Sequence, residues 1–144
     1  MNDLLMVILV ISPLSLLLHE TGHTLAANFF TTAGVKLHLG VGPRLFTWKH
    51  ARGEVAVNAI YFAGGMTISP QPEKAYSKVV IALAGPFVNL FVAALSPFLP
   101  LDPSIITWIL FFNLWLGITN LIPFKFFGKQ SDGWTVMKVI FHKS

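Results

Sequence analysis

The sequence predicts a membrane α-helical fold: three transmembrane helices, a small β-hairpin or sheet in the first connection, and a short C-terminal helix. Three observations lead there. Of the 144 residues, 54% are hydrophobic and only 11% are charged, whereas an ordinary soluble domain carries charge on about a quarter of its residues. The mean hydropathy is +0.68, and the apolar residues are gathered into long runs. Between the first two runs the pattern changes to a period of two, the signature of strands. The length suits one unit, so residues 1–144 are read as a single domain.

A membrane-spanning helix needs about 20 mostly apolar residues. Residues 4–30 open with LLMVILVISPLSLLL and continue through HETGH to LAANFF. Residues 78–97 read KVVIALAGPFVNLFVAALSP, and residues 105–122 read IITWILFFNLWLGITNLI. The start Met1-Asn2-Asp3 carries an acid and no cation, which opposes reading the first run as a secretory signal peptide. In the connection, residues 31–77, Val35, Leu37 and Leu39 alternate with Lys36 and His38. Segments 45–50 and 54–61 flank Ala51-Arg52-Gly53, which reads as a hairpin turn. After the third run, Ser131-Asp132-Gly133 opens a helical pattern with Trp134, Met137, Ile140 and Phe141 on one side.

Charge placement sets the expected orientation. Lys36, Arg44, Lys49, Arg52, Lys74 and Lys78 lie in or beside the first connection, and Lys125, Lys129, Lys138 and Lys143 follow the third run. The opposite side carries only Asp3 and Asp102. The positive-inside rule therefore predicts an outside N-terminus and a cytoplasmic C-terminus, in a multi-pass protein of a bacterial or archaeal cell membrane. The pI of 9.6 does not point to nucleic acid, because the cations are not interleaved with aromatic residues on a polar face. The lipid bilayer is the expected partner.

With no cysteine in the chain, any metal must be held by His, Asp or Glu. His19-Glu20-Thr21-Gly22-His23 is an HExxH sequence. On a helix its two histidines differ by about 40° and lie one turn apart, so both imidazoles reach one ion, while Glu20 projects about 60° from His23. A charge in a span costs about 2.5–3.5 kcal/mol on insertion scales, so such residues are usually paired and functional. A catalytic zinc needs three protein ligands and an open fourth position. Asp3 and Asp102 lie on the wrong side, and His38, His50, Glu54 and Glu73 lie in the strand-rich connection. Asp132, just after the inward-running third span, is the best remaining candidate for the third ligand, the alternative being that it caps its own helix. Asn89 in AGPFVN, and the stripe Asn113, Gly117 and Asn120, suit either interhelical hydrogen bonding or contact with a substrate.

HETGH, AGPFVN, NLIP and SDGW occur here in that order. Together with Gly42-Pro43-Arg44-Leu45-Phe46 and Gly64-Gly65, they resemble the site-2 protease family of intramembrane zinc metalloproteases, over a stretch from Leu4 to about Lys138. The resemblance implies one zinc ion held by His19, His23 and Asp132, with Glu20 as catalytic acid/base. It also implies that Asn120 and Asn89 contact substrate or transition state, and that a strand near Val55, Val57 and Ile60 holds the substrate extended. The implied substrate is a single-span membrane protein or membrane peptide, cut within or near the cytoplasmic leaflet. Two departures stand out. The family stretch reads close to N-x-x-P-x-x-x-L-D-G-G, whereas Asp132 follows Asn120 by 12 residues, with Ser131 for the Leu and Trp134 for the second Gly; Ala63 replaces the usual Pro before Gly-Gly. A competing class is a non-catalytic pseudoprotease or binder of single-span membrane proteins, against which the intact Glu20 speaks. A metal transporter would need polar ligands through the full membrane depth, and the outer half has almost none.

Overall fold

The structure, a computed structural model, describes residues 3–32, 34–70, 72, 74–126 and 128–141; Glu73, weighed above as a ligand, lies outside them. Three helical runs are long and apolar enough to cross a membrane: Asp3–Phe30, Ala75–Phe98 and Pro103–Leu121. The first consists of α1 (Asp3–Met6), a π-helical turn (Val7–Ile11) and α2 (Ser12–Phe30). The widened turn abuts Pro13, which has no N–H to give to Leu9, four residues back. The Leu9 carbonyl instead accepts a hydrogen bond from the Tyr61 hydroxyl at 3.4 Å. The second run is α3 (Ala75–Leu95), with Pro86 inside it, followed by a 3-10 turn, Ser96–Phe98. The third, α4 (Pro103–Leu121), is capped by Asp102, whose side chain accepts from Ser104 N–H at 2.9 Å.

The distribution of side chains is inverted relative to a soluble protein. Ser15, His19, Glu20, His23, Asn89, Ser96 and Asn113 are buried, while Phe87, Phe91, Phe111 and Trp115 face outward. A bilayer explains this, because lipid tails solvate Phe and Trp as well as a core does, and polar groups must find one another inside. Helix contacts use small residues accordingly. A Cβ on Gly22 of α2 would stand 2.6 Å from the Ala84 carbonyl of α3, and one on Gly117 of α4 would stand 2.9 Å from the Leu90 side chain.

The first connection forms two long bent strands, β1 (Val35–His50) and β2 (Gly53–Ile68), joined by a turn at 51–52. Because each bends, they pair more than once. Residues 46–50 run antiparallel to 53–57, the expected hairpin; 53–57 also run parallel to 35–39, and 35–39 run antiparallel to 65–68. The segment order is therefore 46–50, 53–57, 35–39, 65–68, and the last segment, which the pattern did not foretell, forms an edge. Gly40, at φ +80°, makes the bend in β1, where a Cβ would strike Ile60 and Tyr61.

This sheet stands alongside the first span. Thr67 touches Glu20 and Thr24, and Tyr61 touches Leu9. Six residues of strand at 3.3 Å and about 13 of helix at 1.5 Å both cover about 20 Å, so strand and helix run side by side at similar depth. Beyond α4 the lengthened loop folds out as a two-residue ladder, β3 (Lys125–Phe126) against β4 (Lys129–Gln130), and α5 (Asp132–Phe141) follows.

The two glycine contacts differ in what stands nearest, the Ala84 carbonyl at 2.6 Å for Gly22 and, for Gly117, the Leu90 side chain at 2.9 Å with the Pro86 carbonyl farther off at 3.2 Å. Gly22→Ala is expected to destabilise the protein by about 1–3 kcal/mol through overpacking, and Gly117→Ala by less, since Leu90 can turn aside. Thermal unfolding in detergent should rank the variants in that order.

Candidate metal centre

Ser15, His19 and His23 recur every four residues on α2 and so share one face, which α3 covers. The α3 side contributes two acceptors. His19 Nδ1–H donates to Asn89 Oδ1 at 2.6 Å, and His23 Nδ1–H donates to the Ile81 carbonyl at 2.7 Å. The direction at Asn89 follows from its other end, where Nδ2 donates to the Ser15 carbonyl at 3.1 Å and to Asn113 Oδ1 at 2.8 Å; turning the amide over would set oxygen against oxygen. Asn113 Nδ2 in turn donates to Ser15 Oγ at 2.9 Å and to the Ile109 carbonyl at 2.9 Å.

These partners settle the tautomers. With Nδ1 protonated in both neutral rings, each Nε2 offers a lone pair. The two Nε2 atoms stand 3.1 Å apart, and Asp132 places Oδ2 3.3 Å from His19 Nε2 and Oδ1 3.4 Å from His23 Nε2. Lone pairs thus converge with no proton between them, an arrangement that calls for a cation. The spacing fits zinc: ligands at 2.0–2.1 Å around a tetrahedral ion lie about 3.3–3.4 Å from one another. All three ligand atoms fall within 4.8 Å of one another.

Asp132 reaches this point because Ser131, not Asp132, caps α5. Ser131 Oγ accepts from Trp134 N–H at 3.1 Å and from Phe124 N–H at 3.0 Å, and donates to the Ile122 carbonyl at 2.7 Å. One buried hydroxyl therefore ties the end of α4 to the start of α5, so the extra residues bulge out as the β3–β4 ladder without displacing the carboxylate. Gly85 clears the other side, since a Cβ there would collide with the His23 ring.

A cleft of about 470 Å³ opens over these three side chains and is lined also by Glu20, Asn120, Gly65, Met66, Thr67, Lys78 and Lys129. His19, Glu20, His23, Asp132 and Asn120 are thus brought together. Asn89 is not in the cleft; it is fully buried, and its amide is committed to His19, Ser15 and Asn113. Val55 and Val57 lie in a segment paired on both sides, with Leu37 and Leu39 on one and Trp48 and Phe46 on the other, while Ile60 pairs with Val41 at the bend. None of the three lines the cleft. The strand that does is the one holding Gly65, Met66 and Thr67. Ser15 was readable from its spacing to His19 and Ser131 from its place at the start of the last helix, whereas Thr67 gave no local signal. Farther out, His38 hydrogen-bonds Glu54, and Lys36 and Arg44 add their charge, holding the Glu54 carboxyl below its usual range.

Removing a ligand and removing its support should be distinguishable. Asp132→Ala is expected to abolish stoichiometric zinc binding, and Asn89→Leu to weaken it about 10- to 100-fold by freeing the His19 ring. Competition with a chromophoric chelator measures both; unchanged affinity in Asp132→Ala would exclude it as a ligand.

The family model described as Peptidase family M50 matches residues 5–101, a stretch that holds HETGH, the sheet and Asn89 and ends before Asp132. No curated protein matches the chain. With more than half of its length matched and a His-His-Asp cluster set into apolar helices, the chain is an integral membrane protein that belongs to peptidase family M50, the metalloproteases of the site-2 protease kind.

Proposed function

We propose that the chain is an intramembrane zinc metalloendopeptidase, cutting single-span membrane proteins or membrane peptides within or near the cytoplasmic leaflet. The observation that carries this reading is the convergence of two proton-free imidazole nitrogens and one carboxylate in a cleft shared with Glu20. His19, His23 and Asp132 would hold the ion. Zinc bound there would polarise the scissile carbonyl and lower the pKa of a water towards about 7. Glu20 is outside the ligand set, so its carboxylate serves as general base, taking the proton of the attacking water and returning it to the leaving amine.

A helix in lipid has all its backbone groups bonded internally, so a substrate must unwind before cleavage. The segment 65–68 supports this step. It borders the cleft, and among the described residues it is paired on one side only, with 35–39. An extended substrate can add there as a further strand and recover the hydrogen bonds it lost. Asn120, at the cleft wall, is proposed to contact the substrate backbone. The cations supply the orientation, with Lys78 and Lys129 at the cleft and the N-terminus on the opposite side of the membrane.

Glu20→Gln is expected to retain zinc and lose about 10²- to 10⁴-fold in cleavage of a membrane peptide, the usual contribution of a general base. Equal turnover by wild type and variant would overturn the mechanism. Substrates whose helix is weakened by Gly or Pro near the scissile bond should be cut at least about tenfold faster than Leu- or Ala-stiffened versions, as strand addition requires. The chain lacks cysteine, so single cysteines placed at Asp3 and Lys138 can be labelled without background; labelling from the cytoplasmic side at Lys138 alone is expected.

A further inference from the structure

The strand that borders the cleft also touches the proposed general base at two points. Thr67 Oγ1 lies 2.7 Å from Glu20 Oε2 and 3.1 Å from the Glu20 main-chain carbonyl, and Thr24 Oγ1 lies 3.2 Å from Thr67 Oγ1. Gly65 packs on the same side chain, for a Cβ there would fall 2.6 Å from Glu20 Cγ and 3.0 Å from Oε1. The Thr67 hydroxyl has a single proton to give. Facing an ionised carboxylate, it goes to Oε2, the nearer acceptor and the charged one. Thr24 can then donate to Thr67 Oγ1, and a chain of two hydroxyls ending on a carboxylate strengthens each link.

Oε1 is in a different position. Among the described residues it has no hydrogen-bond partner, yet no buried polar side-chain atom is left without one. Oε1 is therefore open, beside a glycine that has no side chain to cover it. We propose that Thr67 is a positioning residue for Glu20: its hydroxyl anchors Oε2 and so aims Oε1 into the cleft as the oxygen that takes and returns the proton. When Oε1 is protonated the carboxyl is neutral, and the Thr67 hydroxyl still has Oε2 and the Glu20 carbonyl within reach. No donor is orphaned in either state, which matters where water is scarce. The edge strand thus has two tasks, presenting backbone to the substrate and holding the base. The inference rests on the reading of Glu20 as the general base.

The test uses the full chain in detergent, loaded with zinc, and a membrane peptide that the wild type cleaves. Thr67→Val, which keeps the shape and removes the hydroxyl, is expected to lower kcat about 10- to 100-fold, with KM and bound zinc within about twofold of wild type. Thr67→Ser should recover to within about threefold, and Thr24→Val, which removes only the outer hydroxyl, should lose about two- to fivefold. A Thr67→Val enzyme with wild-type kcat, or a loss carried by KM or by zinc content, would overturn the assignment, as would a Ser variant no better than Val. An activity-independent measurement separates this from the protease reading. In protein carrying ¹³C-carboxylate glutamate, the infrared band that disappears in Glu20→Gln should shift in Thr67→Val. A wild type that cleaves no membrane peptide would sink the protease reading and the role of Oε1 with it. An unmoved band in an active enzyme would sink only the Thr67 assignment.

Discussion

The Asn89 side chain accepts from His19 and donates to Ser15 and Asn113, and in doing so it holds three helices in one rotational setting. Ser15 and His19 belong to α2, Asn89 to α3 and Asn113 to α4. An amide in hydrocarbon has no water to fall back on, so each of its groups must meet a partner and the helices must turn until they do. That same setting leaves His19 Nε2 facing Asp132. The setting of the His19 ring and the packing of the helices are consequently consequences of one buried polar network, and disturbing either disturbs both.

Around this network the packing follows the bilayer as solvent. Small residues bring backbones close at Gly22 and Gly117, and a further glycine at 85 leaves room for the His23 ring. Bulky aromatic residues point outward. The sheet then supplies what three helices cannot, an extended backbone lying beside the HETGH segment of α2. Its bent strands bring four short segments into one layer, and the bend places 65–68 against Glu20. The cleft is thus walled by helix on one side and strand edge on the other, so the His-His-Asp cluster and the strand edge share one opening.

Much of this was readable in the sequence, and the readable features share a property. Each span depends on about 20 consecutive residues, the HExxH pair on four, and the turn at 51–52 on three, so short-range rules suffice for them. The 12-residue separation between Asn120 and Asp132 obscured where Asp132 lies, because loop length alone does not say whether extra residues lie between two groups or bulge away from them. Ser131 decides it, through three hydrogen bonds to residues on both sides of the insertion. Val55, Val57 and Ile60 have the alternation of a strand, but alternation cannot tell a segment paired on both sides from one at an edge. Asn89 was visible as a polar residue in a span, while its direction was not.

The sequence by itself determined that this chain lives in a membrane, where its helices run, which end gathers the cations, and that two histidines and a glutamate share one helical face. Those are consequences of composition and of the 3.6-residue period. Only the tertiary structure decided which carboxylate lies against the two histidines, which asparagine holds the His19 ring and which strand borders the cleft. Those choices depend on contacts between residues about 40 to 110 positions apart, such as Glu20 with Thr67, His19 with Asn89 and His19 with Asp132. Such contacts are set by how helices rotate and strands bend to satisfy buried polar groups, a condition on the whole chain that no local pattern encodes.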